Sequence, residues 1–253
     1  VSDELRDRLR AFTEARVFLP RAGVSLTTAS LLELRLADAR ARDAVHQAFD
    51  VEGLVEGLGE RGVDAVAVRS GASTRAEYLR RPDLGRRLSD ASVAALRERR
   101  GEYDLVIVIA DGLSARATHD SALALLDHLA PALAGRRVAP VVVAEQARVA
   151  LGDPIARDLG ATAVAVLLGE RPGSTAADSL GVYYTYAPTE STTDAQRNCL
   201  SNIRPGGQSP AEAAHKLAFL VRESFARRLS GVELKENAAA ILDAPDGPGL
   251  LDD

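Results

Sequence analysis

The chain has 253 residues, 46% hydrophobic and 26% charged, with a formal net charge of −5. That balance excludes wholesale disorder, and an acidic chain with 4% aromatic residues lacks the basic stripe and stacking platforms of a nucleic-acid binder. A single cysteine, Cys199, excludes an internal disulfide framework and cysteine-based structural zinc, and no apolar run nears the roughly 18 residues of a membrane span.

Val1–Arg10 is charged at every turn, unlike a secretory leader, so a cytoplasmic setting is expected. Leu5, Leu9 and Phe12 stand at helical spacing within Asp3–Phe12. After a turn at Pro20–Gly23, Leu31, Leu34, Ala37, Ala41, Ala44 and Val45 form a stripe near period 3.6, predicting a helix over 27–48. Residues 1–50 therefore read as a small helical N-terminal domain.

From Val51 the pattern changes to helices alternating with short apolar runs, which defines a second domain over 51–235. A helix is expected over 52–61, ended by Gly62, followed by a strand over 65–69. Thr74 and Glu77 have capping-box spacing, and Ser89–Arg100 is helical, with Gly101 placed to cap it. The continuous apolar run of Asp104–Ala110 predicts a strand buried on both faces. A helix over 115–130 ends at Pro131, and a strand follows over 138–144. Asp153 before Pro154 reads as an N-cap, opening a helix to Leu159. A second buried strand is expected over 161–168, and a more polar strand, Leu180–Tyr186, suits an edge. Ser209-Pro210-Ala211-Glu212 opens a helix to about Leu229, and the acidic residues 236–253 have the composition of a disordered tail. Strands separated by helices pair in parallel through right-handed crossovers. The expected fold class is α/β, a Rossmann-like, doubly wound, mainly parallel sheet. In such sheets ligands sit beyond the carboxyl ends of the strands.

Three strand-end segments attract attention. Asp111-Gly112-Leu113-Ser114 offers a carboxylate and a hydroxyl, or simply a turn that caps the next helix. Gly112-x-Ser114 begins a nucleophile elbow, but Arg116 stands where the second glycine belongs. A stand-alone hydrolase or transferase built on Asp111 and Ser114 is the alternative reading. Gly169-Glu170-Arg171-Pro172-Gly173 sets an acid beside a base between glycines, framing a ligand or closing a turn by an ion pair. Asn198–Gly207 is dense in amides and hydroxyls without a helical period, and Cys199 within it is either a small buried residue or part of a pocket wall. No glycine-rich phosphate motif follows any strand. His46, His119, His128 and His215 form no metal-ligand pattern.

These motifs, taken in order, resemble the small (light) subunit of ethanolamine ammonia-lyase. The landmarks are Arg21-Ala-Gly23, Tyr78-Leu-x-Arg-Pro-Asp-Leu-Gly-Arg-Arg87, Asp111-Gly-Leu-Ser114, Arg148-Val149, Gly169-Glu-Arg-Pro-Gly173 and Asn198-Cys-x-Ser-Asn-Ile203. The resemblance spans about Leu5 to Val232. It implies an adenosylcobalamin enzyme that converts ethanolamine to acetaldehyde and ammonia. Its large subunit is a TIM barrel that carries the substrate and the catalytic residues. The small subunit completes the cobalamin site, and heterodimers assemble as a trimer of dimers of heterodimers. The family's cobalamin contacts fall on Val149, Glu170 and Cys199, and the resemblance assigns this chain no catalytic residue, no metal ligand, no nucleic acid and no membrane. The family's N-terminal encapsulation sequence has no counterpart at the start of this sequence, which weighs against entry into a bacterial microcompartment. None of the four histidines sits in a D-x-H-x-x-G pattern, so a bound cobalamin is expected base-on, keeping its own base as lower ligand.

Overall fold

The structure, a computed structural model, describes residues 18–235 together with Leu5, Arg8, Leu9, Phe12, Ala15 and Arg16. Most of the helix expected over Asp3–Phe12, and the tail from Glu236, lie outside the described residues. A two-stranded hairpin, β1 (Arg21–Ala22) with β2 (Ser25–Leu26), leads into helix α1 (Thr28–His46), whose N-cap is Thr27. Helix α1 buries a narrow line, Ser30, Ala37 and Ala44, while Leu31, Leu32 and Leu36 are exposed. The expected stripe thus faces the body only along the second half of the helix.

Next come α2 (Val51–Glu60), β3 (Ala65–Arg69), α3 (Arg75–Arg80), α4 (Asp90–Glu98), β4 (Tyr103–Ala110) and α5 (Ala115–Leu129). They are followed by β5 (Val141–Glu145), α6 (Gly152–Leu159), β6 (Ala161–Gly169), β7 (Leu180–Tyr186), β8 (Arg197–Ile203) and α7 (Pro210–Arg227). Local signals behave as chemistry requires. Gly62 takes φ +69 just past α2, the left-handed geometry that glycine tolerates without a Cβ penalty. Ser209 and Glu212 form a reciprocal capping box at the start of α7. The box expected at α3 is shifted: Thr74 accepts from Glu77 N, while the Glu77 carboxylate takes the amide and hydroxyl of Ser73.

Six strands form one sheet in the order β3-β5-β4-β6-β7-β8. The first four are parallel, and β7 and β8 are antiparallel. The fold is α/β with a mixed sheet. Residues 170–179 between β6 and β7 contain no helix, so β7 can only return beside β6 in the opposite direction. Two further expectations are corrected. Leu180–Tyr186 is not an edge; it lies between β6 and β8, and the edge is Arg197–Ile203. A register shift between Leu180 and Val182 disturbs the alternation of β8, which hid that strand in the sequence. Strand β5 starts at Val141 rather than Val138, because Pro140 has no amide to give a ladder.

Helices cover both faces. Leu105, Ile107 and Ile109 of β4 meet α2, α5 and α7 in one apolar cluster, and Val106, Val108 and Ala110 meet α4 and α6 in the other. Each large side chain so buried contributes roughly 1.5–3 kcal/mol, which explains why β4 reads as an unbroken apolar run. The helices of the second face, α4 and α6, pack on β3, β4 and β6. On that side Tyr183 of β7 is half-buried and Cys199 of β8 exposed.

At the carboxyl ends of the strands the loops after β4 and β6 touch. Gly112 has φ +54, and a Cβ there would lie 2.2 Å from the Gly169 carbonyl oxygen. Gly112→Ala therefore combines left-handed strain with a backbone clash and is expected to cost about 3 kcal/mol. Urea unfolding of the variant checks this, and a midpoint equal to wild type would mean that the loops separate freely.

Candidate functional site

Beside the sheet's antiparallel end a cavity of about 640 Å³ opens, with Arg86, Arg148, Val149, Tyr183, Arg197 and Cys199 in its lining. The strand register builds one wall. Tyr183 pairs with Cys199 and Thr185 with Arg197, so alternate residues of β7 and β8 face the same way. The opposite wall is the short 3-10 turn Val149–Leu151 that runs into α6.

Arg197 locks the two walls together. Its guanidinium is 3% exposed, donates to both oxygens of Asp153 at 2.7 Å, and also reaches Thr185 Oγ1 at 3.0 Å. Asp153 is therefore not an N-cap: α6 already begins at Gly152, and the Asp153 carboxylate serves the edge strand instead.

Glu170 stands at the end of β6, half-buried over Gly181, where a Cβ would come within 2.8 Å of Glu170 Oε1. Its Oε2 accepts from the Ser179 hydroxyl and from the Asn202 amide. Although Cys199 is exposed at its outer surface, its neighbours partly desolvate the thiol and raise it above its ordinary 9.0; a hydrogen bond with Tyr183 pulls it back, and the Glu170 charge raises it again. Burial also raises the Tyr183 phenol. Both groups are protonated at neutral pH. The wall offers hydrogen bonds and apolar contact rather than a nucleophile.

The other sequence candidates are committed elsewhere. Asp111 is buried and ion-paired to Arg75 at 2.9 Å, and it accepts from Ala147 N at 3.0 Å. Burial pushes its pKa up to about 6 despite the Arg75 charge, so at neutral pH it is a carboxylate that ties three loops together. Ser114 has no exposed surface; its hydroxyl donates to the Ala177 carbonyl at 2.7 Å and caps α5. His119 is stacked on Phe49 and accepts from the Asp50 amide. No base reaches Ser114 among the described residues, so the hydrolase reading loses its nucleophile. Arg171 is exposed and forms no ion pair with Glu170. The Asn198 amide is spent on the carbonyls of Gly231 and Leu234. Among the described residues no cluster of histidine, cysteine and acid could hold a metal ion, and no helix is long and apolar enough to cross a membrane.

The family model of the ethanolamine ammonia-lyase light chain (EutC) matches residues 3–235. The chain belongs to this family. It is similar to proteins named ethanolamine ammonia-lyase small subunit in several bacteria. Identity is 55% to that of Xanthomonas campestris pv. campestris (strain B100), over 91% of this chain and 87% of the relative. For Azotobacter vinelandii (strain DJ) it is 52%, over 96% and 93%. For Bradyrhizobium diazoefficiens (strain USDA 110) it is 53%, over 91% and 90%.

Of the three positions that the ethanolamine ammonia-lyase resemblance singles out, Val149 and Cys199 line one cavity, and Glu170 lies within electrostatic reach of Cys199. The sequence reading missed Tyr183 and the locking role of Arg197. A tyrosine in a strand and an arginine ahead of a polar segment carry no distinctive spacing. The Asp153–Arg197 pair generates a direct expectation. Asp153→Asn leaves a buried guanidinium undercompensated and should cost about 3–5 kcal/mol of stability. Denaturant unfolding measures it, and a loss under 1 kcal/mol would show that the pair is not the tie between the walls. The thiol gives a second expectation. Iodoacetamide should alkylate Cys199 with a half-maximal rate above pH 9, and Glu170→Gln should move that profile to lower pH by removing a facing negative charge.

Proposed function

We propose that this chain is the small subunit of an adenosylcobalamin-dependent ethanolamine ammonia-lyase, and that its cavity is one half of a corrinoid socket closed by a large subunit. The observation that carries this reading is the convergence of Val149, Cys199 and Glu170, distant in sequence, on one side of the β7–β8 sheet in a chain of this family. The donor set suits a corrinoid. Glu170 Oε2 is occupied, whereas Oε1 carries no hydrogen bond among the described residues and can accept from a corrin amide or the tail ribose. Tyr183 and Cys199 line the cavity side by side, and Val149 supplies apolar contact. Among the described residues no histidine lines the cavity, in keeping with a base-on cofactor.

When bound, the cofactor supplies the radical chemistry that removes hydrogen from ethanolamine on the way to acetaldehyde and ammonia. This chain binds and orients the corrin periphery and excludes water from one side.

The finer architecture belongs to the same proposal. The four parallel strands with helices on both faces form a Rossmann-like domain over 51–235, preceded by a helical domain over 1–50 and followed by the tail 236–253. The partner is a TIM-barrel large subunit, the assembly a trimer of dimers of heterodimers, and the setting cytoplasmic.

Equilibrium dialysis of cyanocobalamin against the co-purified complex tests this. Glu170→Gln loses one charged hydrogen bond, about 1.5–3 kcal/mol, and should weaken binding roughly ten- to a hundredfold. Unchanged affinity would reduce Glu170 to a turn residue. The purified chain with adenosylcobalamin but no large subunit should form no acetaldehyde; turnover by the chain alone would refute the division of labour.

A further inference from the structure

The cavity carries more positive charge than its surroundings neutralise. Of its three arginines, Arg197 is satisfied by Asp153 and Asp194. Arg86 is exposed and makes no ion pair or side-chain hydrogen bond among the described residues. Arg148 stacks its guanidinium 4.4 Å from the centre of the Tyr78 ring, and its Nε is buried without a hydrogen-bond partner among the described residues. The other groups around that ring do not neutralise it. Arg75, 4.9 Å from the ring centre, is itself cationic, and the nearby carboxylate, Asp111, is paired to Arg75.

Both arginines are held in place by backbone. Arg86 closes the 3-10 turn Leu84–Arg86, and the Gly85 carbonyl of that turn accepts from Arg148 N at 2.8 Å. Gly85 is packed so closely that a Cβ would fall 2.8 Å from the Tyr78 ring and 2.9 Å from Arg148 Cγ. The Tyr78 hydroxyl donates to the Ala147 carbonyl, which fixes the ring under Arg148. The turn over 84–86 and the loop over 146–148 are thus one unit that presents two cations to the cavity. An unpaired guanidinium with a desolvated N–H costs free energy unless a ligand pairs with it, and its planar fork matches phosphate oxygens.

We infer that Arg86 and Arg148 form an anion subsite that holds the phosphodiester of the cofactor's nucleotide tail. This rests on the corrinoid reading above. Around a cobalamin's periphery the corrin side chains are neutral amides, and the phosphodiester of the tail is the anionic group. The two cations therefore assign the tail to the Arg86–Arg148 end of the cavity and the corrin to the Tyr183–Cys199 wall.

The test compares cyanocobalamin with dicyanocobinamide, which lacks the nucleotide and the phosphodiester, binding to the complex of this chain with its large subunit. Arg86→Gln should weaken cyanocobalamin about tenfold and leave dicyanocobinamide within twofold, while Arg86→Lys should retain cyanocobalamin affinity within about threefold. Adding Arg148→Gln to Arg86→Gln should deepen the loss for cyanocobalamin alone. Equal weakening of both corrinoids by Arg86→Gln would overturn the subsite, as would equal losses from Gln and Lys, since either result marks a shape effect rather than an anion contact. If the wild-type complex holds no dicyanocobinamide, the Gln and Lys comparison on cyanocobalamin decides alone. Unchanged cyanocobalamin affinity in Arg86→Gln, beside a loss in Glu170→Gln, would sink this inference and leave the corrinoid socket standing. No loss in either variant would sink both.

Discussion

A buried guanidinium gripping a buried carboxylate holds the two halves of this site in register. Arg197 belongs to the edge strand of an antiparallel extension and Asp153 to the first turn of a helix on the parallel part of the sheet. Neither element contacts enough of the other to fix their spacing by apolar burial. The bidentate pair does so, with Thr185 Oγ1 accepting a further bond from the guanidinium. Buried pairs return little net stability over an apolar substitute; what this one provides is geometry. The platform of Tyr183 and Cys199 and the Val149 turn face each other across a fixed gap because Arg197 spans it.

A second polar knot organises the rim of the parallel strands. Asp111 lies at the end of β4 and draws together Arg75 from the start of α3, the amide of Ala147 beyond β5, and through Arg75 the carbonyls of Gly112 and Val45. The last of these joins helix α1 to the rim. Tyr78 sits between two guanidiniums in the same knot. The residues that look most like a catalytic pair in the sequence, Asp111 and Ser114, are scaffold here. The candidate cavity lies two and three strands over, along β7 and β8, beyond the point where the sheet changes from parallel to antiparallel.

Much of the α/β frame was legible because burial on both faces leaves a plain trace. The runs over 105–110 and 163–168 have no polar interruption, and the caps at Ser209 and Gly62 are local chemistry that tertiary packing did not override. The edge strand β8 was not legible. Its buried positions, Arg197, Leu200 and Ile203, are three apart because a register irregularity breaks the two-residue alternation, and one of them is an arginine whose burial makes sense only with Asp153 in view. Asp153 itself misled, since an acid before a proline is a sound N-cap signal and only a partner 44 residues away redirects it. Glu170 and Cys199 stood out as members of motifs, but their approach to one another depends on Gly181 being small, which spacing along the chain does not express.

The close approach of Gly112 to the Gly169 carbonyl, with Leu113 N bonded to that same oxygen, has an evolutionary corollary. The two turns meet backbone to backbone, so neither can lengthen, shorten or gain bulk without the other yielding. Among relatives that keep this sheet, insertions should be scarce in both turns at once, and changes at one glycine should be matched by changes in the opposing turn.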